Sequence, residues 1–301
     1  MNLKKYLINK LNKLPYIRGL YNLTLNTHHP NGHYYSPVFS IEDIKKREHQ
    51  IWGNLDNKDI SGIDINIEQQ IETISLMKNF AQDFSSTISK KSCRYTTKNF
   101  MYSYNDGIIL YAIIRLLKPN RIIEIGSGYS SALMIDTNEI HFKNKIDLVF
   151  IEPFPKERLN NLMTLEDSYR CKVLENIVQS VPLSEFKKLK KGDILFVDSS
   201  HVSKTGSDLN YILFEILPVL RRGVMIHFHD IFHPFEYPKE WVYSGFNWNE
   251  NYILRAFLMY NSNFKIKFFA DYLNKHYKKS LKEFNFIEKG KKGSSLWIEK
   301  V

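Results

Sequence analysis

The chain is poor in cysteine: Cys93 and Cys171 stand far apart among 301 residues, with no CxxC pair and no zinc-finger spacing. A disulfide framework and a structural zinc site are thereby excluded, and a reducing cytoplasm is the expected setting. Long apolar runs are missing as well, since none reaches the roughly 18 residues of a membrane-spanning helix. The first residues mix charge and asparagine into the place where a secretion signal needs an unbroken apolar stretch. There is no internal repeat and no low-complexity segment.

What is present is apolar and basic. Hydrophobic residues make up 43% and aromatic residues 14%, which suffices for one large core or a core with an appendage. Forty-two Lys and Arg against 32 Asp and Glu leave a formal charge of +10, a bias toward acidic partners. Much of it falls in "MNLKKYLINKLNK", "KHYKKSLKEF" and "KGKKG", away from the apolar runs, and reads as a solvated surface. No RNA-binding aromatic motif, zinc finger or helix-turn-helix accompanies the charge, so no specific nucleic acid is expected. The alternation of basic and apolar residues in "LKKYLINKLNKLPYIRGLYNL" fits either an ordinary packing helix or a peripheral membrane contact through the basic N-terminus.

Residues 1–98 carry no strong strand signal and read as a helical extension that helps form a substrate lid. "SIED" at Ser40 to Asp43 resembles a helix cap. Ile67, Ile71, Ile74, Met77, Phe80 and Phe84 recur at helical spacing and predict a helix from about Asp64 to Phe84. The intervening loop "NTHHPNGHYYSPVFS" is rich in His and Tyr and is of a kind that covers clefts, which makes His33 and Tyr34 candidate substrate contacts.

Residues 99–301 alternate strand and helix. "RIIEIG", "DLVFIEP", "DILFVDSS" and "GVMIHFHD" are short, β-branched and continuously apolar, as strands buried on both faces must be. Helical stretches separate them, which defines a doubly wound α/β sheet of Rossmann-like type. "FKIKFFA" and "SSLWIEKV" supply two further strands, expected as an antiparallel pair at the sheet edge.

Gly126 and Gly128 follow the first strand in "RIIEIGSGYSSALMID", where glycines let backbone approach a nucleotide. The dinucleotide fingerprint is incomplete, because Ser131 stands at its third glycine. Glu152 ends the next strand, and a carboxylate there offers two acceptors to a ribose diol. At the ends of the later strands lie Asp198, His229 and Asp230, which should converge on one cleft. His229 and Asp230 can both face it only if the chain has already left the strand, since neighbours in a strand point to opposite faces. His227 is one pleat deeper and reads as a hydrogen-bonded core histidine.

Together, "IEIGSGYSS", "VFIEP", "FVDSSHVSKTGSD" and "HFHDIFHPFEYPKEW" resemble the class I S-adenosylmethionine-dependent methyltransferases, in particular the group described as methyltransferase domain 24, over roughly residues 95 to 301. The resemblance implies a sheet of seven strands with the last antiparallel. It implies that Glu124, Gly126, Gly128 and Tyr129 contact the methionine end of S-adenosylmethionine, that Glu152 takes its ribose, and that Gln179 lies at its adenine. The strand-end cluster is also similar to that of the metal-dependent catechol-type O-methyltransferases. By that likeness Asp198, His229 and Asp230 match ligands of magnesium, with His for Asp and Asp for Asn as departures that turn preference toward manganese or another transition metal. Alternatively, these side chains handle substrate and proton without metal. His201, three residues after Asp198, stands where those enzymes carry a lysine base, and an imidazole suits proton removal from an acceptor hydroxyl. His201, with Asp198 and with His229 as the alternative base, is therefore the expected catalytic set, and Lys204 a further substrate contact. The expectation is an O-methyltransferase acting on a small molecule, sugar or glycoconjugate. A nicotinamide-dependent oxidoreductase on the same sheet, and a non-catalytic basic protein binding nucleic acid or membrane, are the competing readings.

Overall fold

Four of the apolar runs become adjacent parallel strands, because each is bounded by turn residues and separated from the next by helix. The computed structural model describes residue 10, residues 27–282 and residues 293–301. The basic, amphipathic N-terminal stretch, Lys10 aside, lies outside the described residues, as does part of the late lysine-rich connection. The chain divides into two units, Met1–Asn54 with Pro238–Asn247, and Leu55–Tyr237 with Trp248–Val301.

The larger unit holds a seven-stranded sheet: β1 Arg121–Ile125, β2 Asp147–Ile151, β3 Lys172–Leu174, β4 Ile194–Val197, β5 Met225–Phe228, β6 Phe264–Phe269 and β7 Leu296–Lys300. Its order is β3-β2-β1-β4-β5-β7-β6. β1 to β5 pair in parallel, and β7 pairs antiparallel with both β5 and β6. The last two strands are thus antiparallel as expected, with β7 inside the sheet and β6 at its edge. Strand burial is almost unbroken in β1, β2, β4 and β5, as two covered faces demand.

Helices α1 (Ile67–Ala81), α2 (Tyr104–Leu117), α3 (Tyr129–Phe142), α4 (Asp208–Tyr211) and α5 (Glu250–Leu258) belong to this unit. The boundary expected at residue 98 thus differs from the observed partition, which starts the sheet unit at Leu55. The reason is burial: α1 turns Ile74, Met77 and Ala81 inward, and Gln70 accepts from the amide of Phe269 at 2.8 Å. Ile74 and Met77 each contribute about 1.5–3 kcal/mol on full burial.

The smaller unit contains short helices, Ile41–Lys46, Glu48–Trp52 and Lys239–Tyr243. Ser40 caps the first by accepting from Asp43 N, as its sequence implies. Glu48 accepts from Lys239 Nζ and Tyr243 Oη, which fastens the 238–247 excursion to that unit. No helix among the described residues is long and apolar enough to cross a membrane.

Candidate active site

The β1 turn is built around one glycine. Gly126 has φ 80°, and a Cβ there would stand 1.9 Å from the carbonyl oxygen of Asp198. Only glycine meets both conditions. Gly128 is different: its backbone is extended at φ −178°, and a Cβ would press on the flexible Arg158 side chain.

A cleft of about 400 Å³ opens at the carboxyl ends of β1, β2 and β4, lined among others by Gly126, Glu152, Gln179, Asp198 and Lys204. Glu152 is oriented by two backbone amides, accepting from Ser127 N at 3.0 Å and Phe154 N at 2.9 Å. A carboxylate so held keeps lone pairs for further donors. Gln179 donates to Gly206 O at 2.8 Å across the cleft's rim. Residues 199–200 and 206–208, from the stretch "FVDSSHVSKTGSD", also line the wall, as do Ile177 and Val178, which nothing in the sequence marks.

Three expected cofactor contacts are not in that wall. Gly128 and Tyr129 do not line the cleft, and Glu124 is fully buried. Burial pushes the Glu124 carboxyl up to about 8, against the pull of the Ser130 and Ser131 hydroxyls that donate to it. Glu124 therefore ties the glycine turn to the first turn of α3. Its spacing from the glycines suggests a ligand contact; in the structure both of its oxygens are engaged by serine hydroxyls. Lys204 shares the cleft with Gly126 and Glu152. His33 and Tyr34 belong to the smaller unit, where their rings stack at 4.2 Å and Tyr34 is largely exposed.

The strand-end cluster does converge. β5 ends at Phe228, and Asp230 has φ 56°, so the chain has left the strand where His229 and Asp230 stand. Asp230 accepts from Ser294 Oγ at 2.7 Å, and its carbonyl accepts from Asn251 Nδ2. His201 lies at the centre. Its Nε2 is 3.4 Å from Asp198 Oδ1 and 4.0 Å from Asp230 Oδ2, and its Nδ1 is 2.6 Å from Glu250 Oε2. His229 Nε2 faces Asp230 Oδ1 at 3.6 Å.

These contacts set the charges. Burial disfavours the His201 imidazolium, but Asp198 and Glu250 outweigh it and hold the ring well above the ordinary histidine value. Burial alone would raise Asp198, yet His229 and His201 bring it down to about 2. His229 is likewise raised, burial being overcome by Asp230, Asp198 and Asp106. In this setting the doubly protonated form of the His201 ring is the favoured one.

The cluster does not form the expected metal set of Asp198, His229 and Asp230. Donors to one ion sit about 2.0–2.6 Å from it. Here the imidazole edge of His201 is directed at both carboxylates, and among the described residues no three His, Cys, Asp or Glu side chains come together as an ion requires. His227 is a core residue, stacked on Phe196 at a centroid distance of 3.7 Å. Burial and the neighbouring His229 hold its ring well below the ordinary histidine value.

A glycine turn after β1, an acidic residue after β2, a cleft at the strand ends and a reversed β7 together define a class I methyltransferase. The family described as Methyltransferase domain matches residues 123–231, and the chain belongs to it as an S-adenosylmethionine-dependent methyltransferase. An uncharacterized protein of Archaeoglobus fulgidus is 32% identical over 183 residues, which cover 58% of this chain and 81% of that protein. Among solved structures, SAH-bound methyltransferase PaMTH1 of Podospora anserina is 16% identical with a TM-score of 0.42, covering 92% of this chain and 100% of that one. The O-methyltransferase TomG of Streptomyces achromogenes, involved in tomaymycin synthesis and bound to SAM, is 16% identical with a TM-score of 0.40, covering 78% and 96%.

Proposed function

We propose that the protein methylates a hydroxyl group on a small molecule, sugar or glycoconjugate. The observation that carries this reading is the double position of Asp198, which lines the cofactor cleft and faces His201 Nε2. Cofactor and proton-handling groups thereby meet at one carboxylate.

S-adenosylmethionine supplies an activated methyl on a sulfonium; the chain supplies alignment and a destination for a proton. Gly126 lets backbone approach the ligand, Glu152 accepts from the ribose diol, and Gln179 stands at the adenine end. An alcohol is a weak nucleophile until its proton leaves, which is why a site with a proton-holding set suits an oxygen acceptor. Asp198 and His201 are close enough to titrate as one unit, so the acceptor's proton enters the pair as a whole. His201 takes the acceptor's proton at Nε2 when that nitrogen is free, and Asp198 and Asp230, which face it, hold the imidazolium that results.

Calorimetric titration of S-adenosylmethionine and S-adenosylhomocysteine tests the cofactor half. Wild-type protein is expected to bind both, and Glu152→Ala to bind about tenfold to a hundredfold more weakly, the worth of a charged hydrogen bond or two. No binding to well-folded wild type would overturn the assignment. S-adenosylhomocysteine release with alcohols, pyranosides, amines and thiols tests the acceptor half; turnover of amines or thiols alone would overturn it.

A further inference from the structure

His201 holds a backbone conformation that its residue type seldom adopts, with φ 60°. Left-handed backbone of this kind costs about 1–3 kcal/mol and persists only where neighbours over-determine it. Those neighbours come from one segment, 248–250, far downstream. The amides of Asn249 and Glu250 both donate to the carbonyl of His201, at 3.1 and 3.2 Å. The Asn249 side chain forms a two-way bridge with the backbone of Ser203, at 2.6 and 3.1 Å. The Trp248 indole lies 4.3 Å from the imidazole, ring centre to ring centre. Finally the Glu250 carboxylate, 1% exposed, meets Nδ1 at 2.6 Å.

The other oxygen of that carboxylate, Oε1, is buried without a hydrogen-bond partner among the described residues. A half-satisfied buried carboxylate is an expensive way to fill space, and an apolar side chain would pack there at lower cost. Burial raises the Glu250 carboxyl and His201 draws it back down; an ionised carboxylate only accepts, and Nδ1 is then the donor to it.

We infer that Glu250 is the positioning residue of this site: it holds the Nδ1–H of His201, so that Nε2 faces Asp198 and Asp230 and is the nitrogen that exchanges protons. The inference rests on the reading that His201 handles the acceptor's proton. Glu250 stands 49 residues from His201, at the first position of α5, and it does not line the cofactor cleft.

The test is nitrogen-15 NMR of the histidine rings in the full chain saturated with S-adenosylhomocysteine, with His201→Ala to assign the resonance. The groups facing the ring are Asp198, Asp230 and Glu250, with His229 beyond. Above its titration midpoint, wild-type His201 is expected to retain its proton on Nδ1. Glu250→Gln keeps an accepting oxygen, so the tautomer should persist while the midpoint falls; Glu250→Ala should lose the tautomer preference as well. Affinity for S-adenosylhomocysteine should be unchanged in both. An Nδ1–H ring in Glu250→Ala, or an unmoved midpoint in Glu250→Gln, would overturn the positioning role. So would an equal loss of cofactor affinity in both variants, which would mark Glu250 as merely structural. The two readings fail separately: normal turnover by His201→Ala would remove the proton-handling role and leave the NMR result standing.

Discussion

Two buried ionic clusters in the sheet unit look alike in composition and differ in completeness. In the first, Arg94 binds Asp167 through Nε and Nη2 at 2.6 Å each and Asp136 through Nη1 at 2.9 Å. The remaining capacity of those carboxylates is taken by the amides of Arg94, Tyr95 and Thr164 and by the Thr164 hydroxyl. The second cluster, around His201, leaves Glu250 Oε1 and His229 Nδ1 without hydrogen-bond partners among the described residues and contains two residues with positive φ, His201 and Asp230. Completeness is the mark of a group kept for architecture, because every donor has been matched to an acceptor. Incompleteness and strain together mark a place kept for chemistry.

That contrast can be broken most directly at Arg94. Arg94→Met strips two buried carboxylates of their cation and is expected to lower unfolding free energy by about 3–5 kcal/mol in denaturant titrations. Folded variant should still bind S-adenosylmethionine normally; a stability loss below about 1 kcal/mol would mean that the first cluster is not architectural.

Glu124 sharpens the comparison, as a buried acid that holds the glycine turn without facing the cleft. Burial raises its carboxyl to about 8 from the ordinary glutamate value of 4.5, so between those values the folded state keeps a proton that the unfolded state has lost. Stability therefore falls as pH rises through that window. Glu124→Gln should flatten the fall, leaving the variant a few kcal/mol more stable than wild type at about pH 8 and little different at about pH 5. Parallel pH profiles of the thermal midpoint would refute it. The smallest effect belongs to the cleft rim: Gln179→Ala is expected to weaken S-adenosylmethionine by about twofold to tenfold in calorimetry, one neutral hydrogen bond's worth. An unchanged affinity would remove Gln179 from the cofactor's contacts.

Much of this was legible in one dimension. The strands announce themselves by β-branched runs, and the rule that ligands lie beyond the carboxyl ends of strands brings Gly126, Glu152 and Asp198 to one cleft. The exit of His229 and Asp230 from β5 followed from parity alone. What escaped was pairing between distant segments: Arg94 meets Asp136 and Asp167 across 42 and 73 residues, and Glu250 meets His201 across 49. Such contacts have no period and no local composition. Glu250 reads in sequence as an ordinary acid in a first helical turn, and Glu124 reads as part of a ligand loop, because nothing local distinguishes a carboxylate that faces a cleft from one that faces a serine.

The placement of β7 orders events in time as well as in space. Asp230 is held by Ser294, and the free edge of β5 is covered by Leu296–Lys300, both of which leave the ribosome more than sixty residues after the segment they complete. Folding during synthesis proceeds from the N-terminal side, so β1 to β5 can assemble with the glycine turn while the corner around Asp230 is still unfinished. Until β7 arrives, the nascent chain presents an open, apolar strand edge beside its future active site, and it depends on chaperones or on speed to keep that edge from pairing with another chain.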